Sequence, residues 1–212
     1  MSTHFNVADH FNTKSHHWDE DPSKLALAHD IAIAAGKILG GMHSPRLLDY
    51  GAGTGLVSLP LAQLCRSVVA MDVAPGMLGK LMEKSQTLGL DNISPMVHDL
   101  SAKPFSKERF DAILCSMTLH HIPDMAMLLH RFKSMLGPGG VLMIADLDEE
   151  DGSFHSCNDG VAHFGFNRAN FISSLINCGF TFVSMDIVHR MCRTRDGADR
   201  HYPVFFASGR TE

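Results

Sequence analysis

The chain has 212 residues, a hydrophobic fraction of 45%, a charged fraction of 19% and a formal net charge of −5, which suits one domain with a sizeable core. No Lys/Arg block or basic stripe is present, so nucleic acid is not expected as a partner, and no apolar run reaches the roughly 18 residues of a membrane span. Five cysteines, at 65, 115, 157, 178 and 192, are odd in number and lack C-x-x-C spacing; they read as reduced thiols of a cytoplasmic protein rather than a disulfide framework or zinc knuckle.

Residues 1–20 have no apolar core for a signal peptide and no clear period; they read as an arm or lid. Asp21 and Pro22 then open a helix as cap and first-turn residue. Leu25, Leu27, Ala28, Ile31, Ala35 and Ile38 supply its apolar stripe, and Gly40 and Gly41 stop it. From residue 46, strand-like runs alternate with helix-like ones. The strands are RLLDY, SVVAMD, ISPMVHD, FDAILCS, GVLMIAD, FTFVSMDIV and YPVFFASG. The helices cover about 54–65, 75–88, 123–136 and 168–178. The first strands are continuously apolar, as in a sheet covered on both faces. The expected fold is α/β: a Rossmann-like, doubly wound, mostly parallel seven-stranded sheet. The last two strands have no helix between them and should form an antiparallel hairpin. Residues 1–40 are taken as an N-terminal helical arm of the same domain, 41–212 as its body, and 147–168 as a cap loop. A loop of that length at a strand's C-terminal end is more often functional than idle.

The stretch LLDYGAGTG, Leu47–Gly55, runs a strand into a glycine turn that lets a ligand press on bare backbone. A dinucleotide fingerprint needs G-x-G-x-x-G, but the position three after Gly53 is Leu56. No Lys or Arg lies in or just after the turn, and neither Tyr50 nor Tyr202 is followed four residues on by Lys. The dinucleotide reading is weakened, a smaller phosphate-free adenosyl ligand is the other answer, and the neighbouring motifs must decide between them.

With LLDYGAGTG, VVAMDVAPGML, MVHDL, FDAILCSMTLHHIPD and LGPGGVLMIAD in order, the chain resembles the class I S-adenosylmethionine-dependent methyltransferases over about residues 15–208. LHHIPD and the opening FNTKSHHWD most resemble their small-molecule, ubiquinone-biosynthesis-type branch. The resemblance implies S-adenosyl-L-methionine as cofactor, S-adenosyl-L-homocysteine as product and a small-molecule methyl acceptor. It places Asp49, Gly51, Ala52, Gly53 and Gly55 around the methionine part. Asp72 is placed on the ribose hydroxyls, with Val73 and Met77 beside the adenosyl group. Asp99 and the Leu100 N–H are placed on adenine, and Cys115 and Ser116 beside the methionine part. Residue chemistry agrees for Asp72, since a carboxylate at a strand end accepts two hydroxyls as a bidentate pair.

Methyl transfer by direct displacement needs a base only if the acceptor must lose a proton. His120 or His121, just after the fourth strand, and His163, in the cap loop next to Phe164 and Phe166, are the candidates for it. The two phenylalanines either wall a flat acceptor or dock the loop. His155, Cys157, Asp159 and His163 match no metal template, and no metal is expected. The run Asp146, Asp148, Glu149, Glu150 and Asp151 reads as a solvated face or as a site for a cationic acceptor. The fourth strand ends CSMT, without the Pro-Pro-aromatic turn of base-methylating enzymes. A protein methyltransferase, or a non-catalytic cofactor-binding module, is the alternative. Neither the acceptor's identity nor the subunit number is encoded in these motifs.

Overall fold

In the computed structural model, which describes residues 6–105 and 108–212, Asn6 caps a first helix, α1 (Val7–Lys14), its side-chain oxygen accepting from the Ala8 N–H at 3.0 Å. The sequence shows no period here because α1 buries none of its residues fully. A 3₁₀ turn (Ser15–Glu20) leads into α2 (Pro22–Leu39). Asp21 caps α2 through the Ser23 N–H at 2.9 Å, with Pro22 at its first position.

Strands β1 (Arg46–Tyr50), β2 (Ser67–Asp72), β3 (Ile93–Val97), β4 (Phe110–Ser116) and β5 (Leu136–Leu147) are parallel neighbours, and β6 (Thr181–Arg195) and β7 (Ala198–Arg210) form the antiparallel hairpin. Their order is β3-β2-β1-β4-β5-β7-β6, with β7 antiparallel to β5. The doubly wound sheet with a C-terminal hairpin is therefore as expected. The hairpin strands are longer than their apolar runs, because pairing carries on through Arg193↔Arg200 to a turn at Asp196 and Gly197. Helix α3 (Ser58–Ala62) is shorter than expected, because residues 51–57 are spent on the glycine turn. Helices α4 (Pro75–Thr87), α5 (Met125–Met135) and α6 (Arg168–Asn177) complete the layers.

Alternation along the strands divides the core. Ala112 and Leu114 of β4 face α2, α3 and α4, packing with Ile31, Leu61 and Leu81. Ile113 and Cys115 face α5 and α6, packing with Phe132 and Phe171. The parallel strands bring Tyr50, Asp72, Val97, Ser116 and Leu147 to one sheet edge, where open α/β sheets hold their ligands. The 147–168 segment is tied down there: the Glu149 N–H donates to the Phe166 carbonyl at 3.1 Å, and Arg168 pairs with Asp148. All five cysteines are free thiols. Among the described residues, no helix is long and apolar enough to cross a membrane.

Candidate functional site

A cavity of about 1090 Å³ opens along this edge. At one end lies the glycine turn. Gly51 has φ +76°, and a Cβ there would sit 2.0 Å from Thr118 Oγ1. Gly53 has φ +55°, and a Cβ there would meet nothing within 4 Å, so its backbone looks into open space. Both glycines and Ala52 line the cavity, as do Asp72, Val73, Met77, Asp99 and Ser116.

Asp72 is 8% exposed, and its two oxygens accept the Gly53 and Ala74 N–H groups, each at 2.8 Å. A carboxylate has about four lone-pair sites, so two remain for a ligand. Burial pushes the Asp72 carboxyl up, against the pull of the Ala74, Gly53 and Val73 N–H groups. Asp99 accepts from the Ser101 N–H at 2.7 Å and from its hydroxyl at 2.6 Å, which holds the carboxylate at the cavity wall.

Four residues expected around the ligand do not line the cavity. Leu100 and Cys115 are fully buried and have only backbone to offer. Gly55 is a packing glycine: with φ +81°, its Cβ would collide with Leu81 of α4 at 2.7 Å. Asp49 lies under the turn at 1% exposure. One of its oxygens accepts from the Ser58 hydroxyl, and the other, Oδ1, has no partner among the described residues.

Burial raises the Asp49 carboxyl to about 7, and Asp72 adds to the rise. The folded state then holds a proton that the unfolded chain releases near 3.8. Stability is therefore present below that value and lost as pH rises towards 7. Asp49→Asn should relieve this penalty. The ligand-free variant is expected to gain stability over the wild type on going from pH 4 to pH 8, by about 2–4 kcal/mol in urea titrations.

Midway along the cavity stand three histidines. His120 follows β4, is 2% exposed, and has Nδ1 2.7 Å from Asp146 Oδ1 of β5. Burial pushes the Asp146 carboxyl up, but His120 and the N–H groups of Leu147 and His120 outweigh it, leaving it below the usual range. Asp146 is thus an ionised acceptor and His120 Nδ1–H the donor. An acceptor at Nδ1 places a ring proton there and leaves Nε2 as the position at which a neutral imidazole carries its lone pair. That Nε2 is buried without a partner among the described residues, and the ring lines the cavity. Asp146 is 0% exposed, so it does not belong to a solvated acidic face.

The His121 ring lies 4.2 Å from that of His120, and its Nδ1 donates to the Gly160 carbonyl at 2.8 Å. The His155 ring lies 5.1 Å from that of His120. Burial, reinforced by the neighbouring rings, lowers His121 to about 4 and His155 to about 3, so both are neutral at pH 7. Of the three, only His120 has a carboxylate within hydrogen-bond distance.

His163 does not line the cavity; its Nε2 bonds to the Ile122 carbonyl at 2.9 Å and its ring packs on Phe166. Phe166 is in the core and Phe164 is 45% exposed over Gly152, so the loop uses both to dock. The loop aromatic that reaches the cavity is Phe154. Phe154 and Arg193 carry no sequence signal of their own, since their meeting depends on how the loop and the hairpin fold back. Among the described residues, no group of three or more His, Cys, Asp or Glu side chains is placed to hold a metal.

Residues 47–140 match the model of a methyltransferase domain family. An uncharacterized methyltransferase of Schizosaccharomyces pombe is 34% identical over 134 residues, covering 56% of this chain and 47% of the relative. A ubiquinone biosynthesis O-methyltransferase of Xanthomonas campestris is 33% identical over 111 residues, covering 51% and 46%. The chain thus spans about half the length of the curated relatives it matches. Magnesium protoporphyrin IX methyltransferase from Synechocystis, solved with S-adenosylhomocysteine, superposes with a TM-score of 0.68 at 18% identity, over 97% of this chain and 98% of that one. At that identity it is the fold that is shared.

Proposed function

We propose that the chain is a class I S-adenosylmethionine-dependent methyltransferase that moves the methyl group of S-adenosyl-L-methionine to a hydroxyl of a small-molecule acceptor, with His120 as general base. The observation that carries this reading is the buried His120–Asp146 pair, whose imidazole lines the same cavity as the glycine turn and Asp72 and whose Nε2 has no partner among the described residues.

The residues present suit this cofactor. Asp72 has two acceptor sites left for a pair of vicinal hydroxyls, and Gly53 offers uncovered backbone. Asp49 Oδ1 is a buried acceptor without a partner, suited to a cationic group above the turn. Met77 and Val73 give an apolar wall for a flat base. The cofactor, when bound, supplies the activated methyl group and its leaving group. The protein contributes alignment, worth about 7–11 kcal/mol of barrier when it is complete. His120 Nε2 takes the hydroxyl proton as the oxygen attacks, and ionised Asp146 stabilises the resulting imidazolium through Nδ1–H. His121 and His155, both neutral, line the cavity beside it without competing for the proton.

Incubation with methyl-labelled S-adenosylmethionine and a panel of small phenols tests the reading. Label is expected in an O-methyl ether, with one S-adenosylhomocysteine formed per ether. Label found only on nitrogen or on protein would reject the proposed acceptor class.

A further inference from the structure

Beyond the three histidines, the cavity continues between α2 and the hairpin. One stripe of α2, made by Lys24, Leu27, Ala28 and Ile31, faces it. Alternate residues of β6, Met191, Arg193 and Arg195, face it from the other side. Leu27, Ala28, Ile31, Met191 and Phe154 make this end apolar, and cations stand at its mouth.

The half-buried Lys24 sits 3.6 Å from the centre of the Trp18 ring. Neither Lys24 nor Lys14, which also lines the cavity, has a carboxylate within 4 Å among the described residues. Arg193 reaches only Asp21, at 3.6 Å, and lies over the Phe154 ring. Arg195 donates to the backbone carbonyls of Ser153 and Phe154 and has no acid partner among the described residues. Asp21 is already engaged as the cap of α2. Asp159, the other carboxylate lining this end, is exposed. Positive charge is therefore in excess here. Burial lowers Lys24 from its ordinary value, and Lys14 and Arg193 lower it further, against Asp21 and Asp19. Like charges gathered at an apolar pocket cost stability unless an anion answers them.

Sheet order sets Arg193 apart from the glycine turn. Arg193 lies on the strand at the far edge, separated from β1 and its glycine turn by β4, β5 and β7. His120 and Asp146 belong to the β4–β5 seam between the two ends. We propose that the methyl acceptor is an organic anion: an apolar or aromatic body bearing a carboxylate or phosphate, which Lys24 and Arg193 hold while its hydroxyl reaches His120. This inference rests on the methyltransferase reading above and names its substrate class.

The test uses the protein loaded with S-adenosylhomocysteine and three probes of similar shape: 4-hydroxybenzoate, 4-hydroxyphenyl phosphate and neutral 4-hydroxybenzamide. At least one anion should bind about tenfold or more tighter than the amide, the effect of one charge-assisted hydrogen bond. The carboxylate and phosphate arms show which group is preferred. In the Lys24→Met/Arg193→Met variant this advantage should vanish, with S-adenosylhomocysteine affinity kept within about twofold. Methionine keeps an apolar stem over Trp18 and Phe154. Should the double variant not fold, salt decides in the wild type: the anion's advantage should shrink between low and high ionic strength while amide binding holds.

Equal binding of anion and amide, no anion binding at all, or an advantage that survives the substitutions or salt would overturn the proposal. So would a variant that loses S-adenosylhomocysteine, which would assign these cations to the cofactor's own carboxylate. Wild-type protein that does not bind S-adenosylhomocysteine would instead overturn the methyltransferase reading itself.

Discussion

His120→Asn is expected to lower kcat for methyl transfer by about 10²–10⁴-fold, the usual contribution of a positioned base, while leaving S-adenosylhomocysteine affinity unchanged. Asparagine suits the test because its amide can still donate to Asp146, which sits at 0% exposure. An apolar replacement would strand that carboxylate, and breaking a buried pair in this way costs about 3–5 kcal/mol. Asp146→Asn should act through His120. The amide can donate to Nδ1, which favours the tautomer with its proton on Nε2, where no proton can be taken up. Its kcat should fall while KM for the acceptor stays close to that of the wild type. Steady-state kinetics with a melting curve for each variant check both. A kcat within about twofold of the wild type for His120→Asn would remove His120 from the chemistry.

Asp72→Asn is expected to weaken S-adenosylhomocysteine binding by about 10²-fold or more. The carboxylate has two lone-pair sites left after Gly53 and Ala74 have taken theirs, and hydrogen bonds to a charged group are worth about 1.5–3 kcal/mol each. An amide keeps one acceptor oxygen and turns the other position into a donor. It therefore meets two hydroxyls poorly and also faces the Gly53 N–H donor-to-donor. The glycine turn should loosen, and part of the lost affinity will come from that.

The sheet was readable because its strands announce themselves. RLLDY, SVVAMD and FDAILCS are apolar runs flanked by turns, and they become β1, β2 and β4 within a residue or so. The place of the glycine turn on the cavity was readable for the same reason. Gly51, Gly53, Asp72 and Met77 lie at strand ends or one turn beyond, so their place follows from local structure. Gly55 shows the limit of that logic. It belongs to the same motif, yet its φ and its contact with Leu81 serve packing.

The part of the cavity around the histidines and the hairpin was less readable because it is built from long-range meetings. His120 and His121 are neighbours in sequence, and nothing local says which ring faces a carboxylate. The choice falls to Asp146, 26 residues on, through the parallel pairing of β4 with β5. His163 is a base candidate next to two phenylalanines in the sequence, but the loop folds with Phe166 inward and His163 against the Ile122 carbonyl. Lys24 and Arg193 are far apart in the chain and meet only because α2 packs across β6, where Asp30 and His189 bond at 2.7 Å.

The most direct test of the account is a calorimetric titration of the ligand-free protein with S-adenosylhomocysteine and, in parallel, with NAD, repeated on Asp72→Asn. The account predicts micromolar binding of S-adenosylhomocysteine, corresponding to about −8 kcal/mol, a loss of about 10²-fold or more in the variant, and no heat from NAD. Well-folded wild-type protein that takes up NAD, or that leaves S-adenosylhomocysteine unbound, would contradict it.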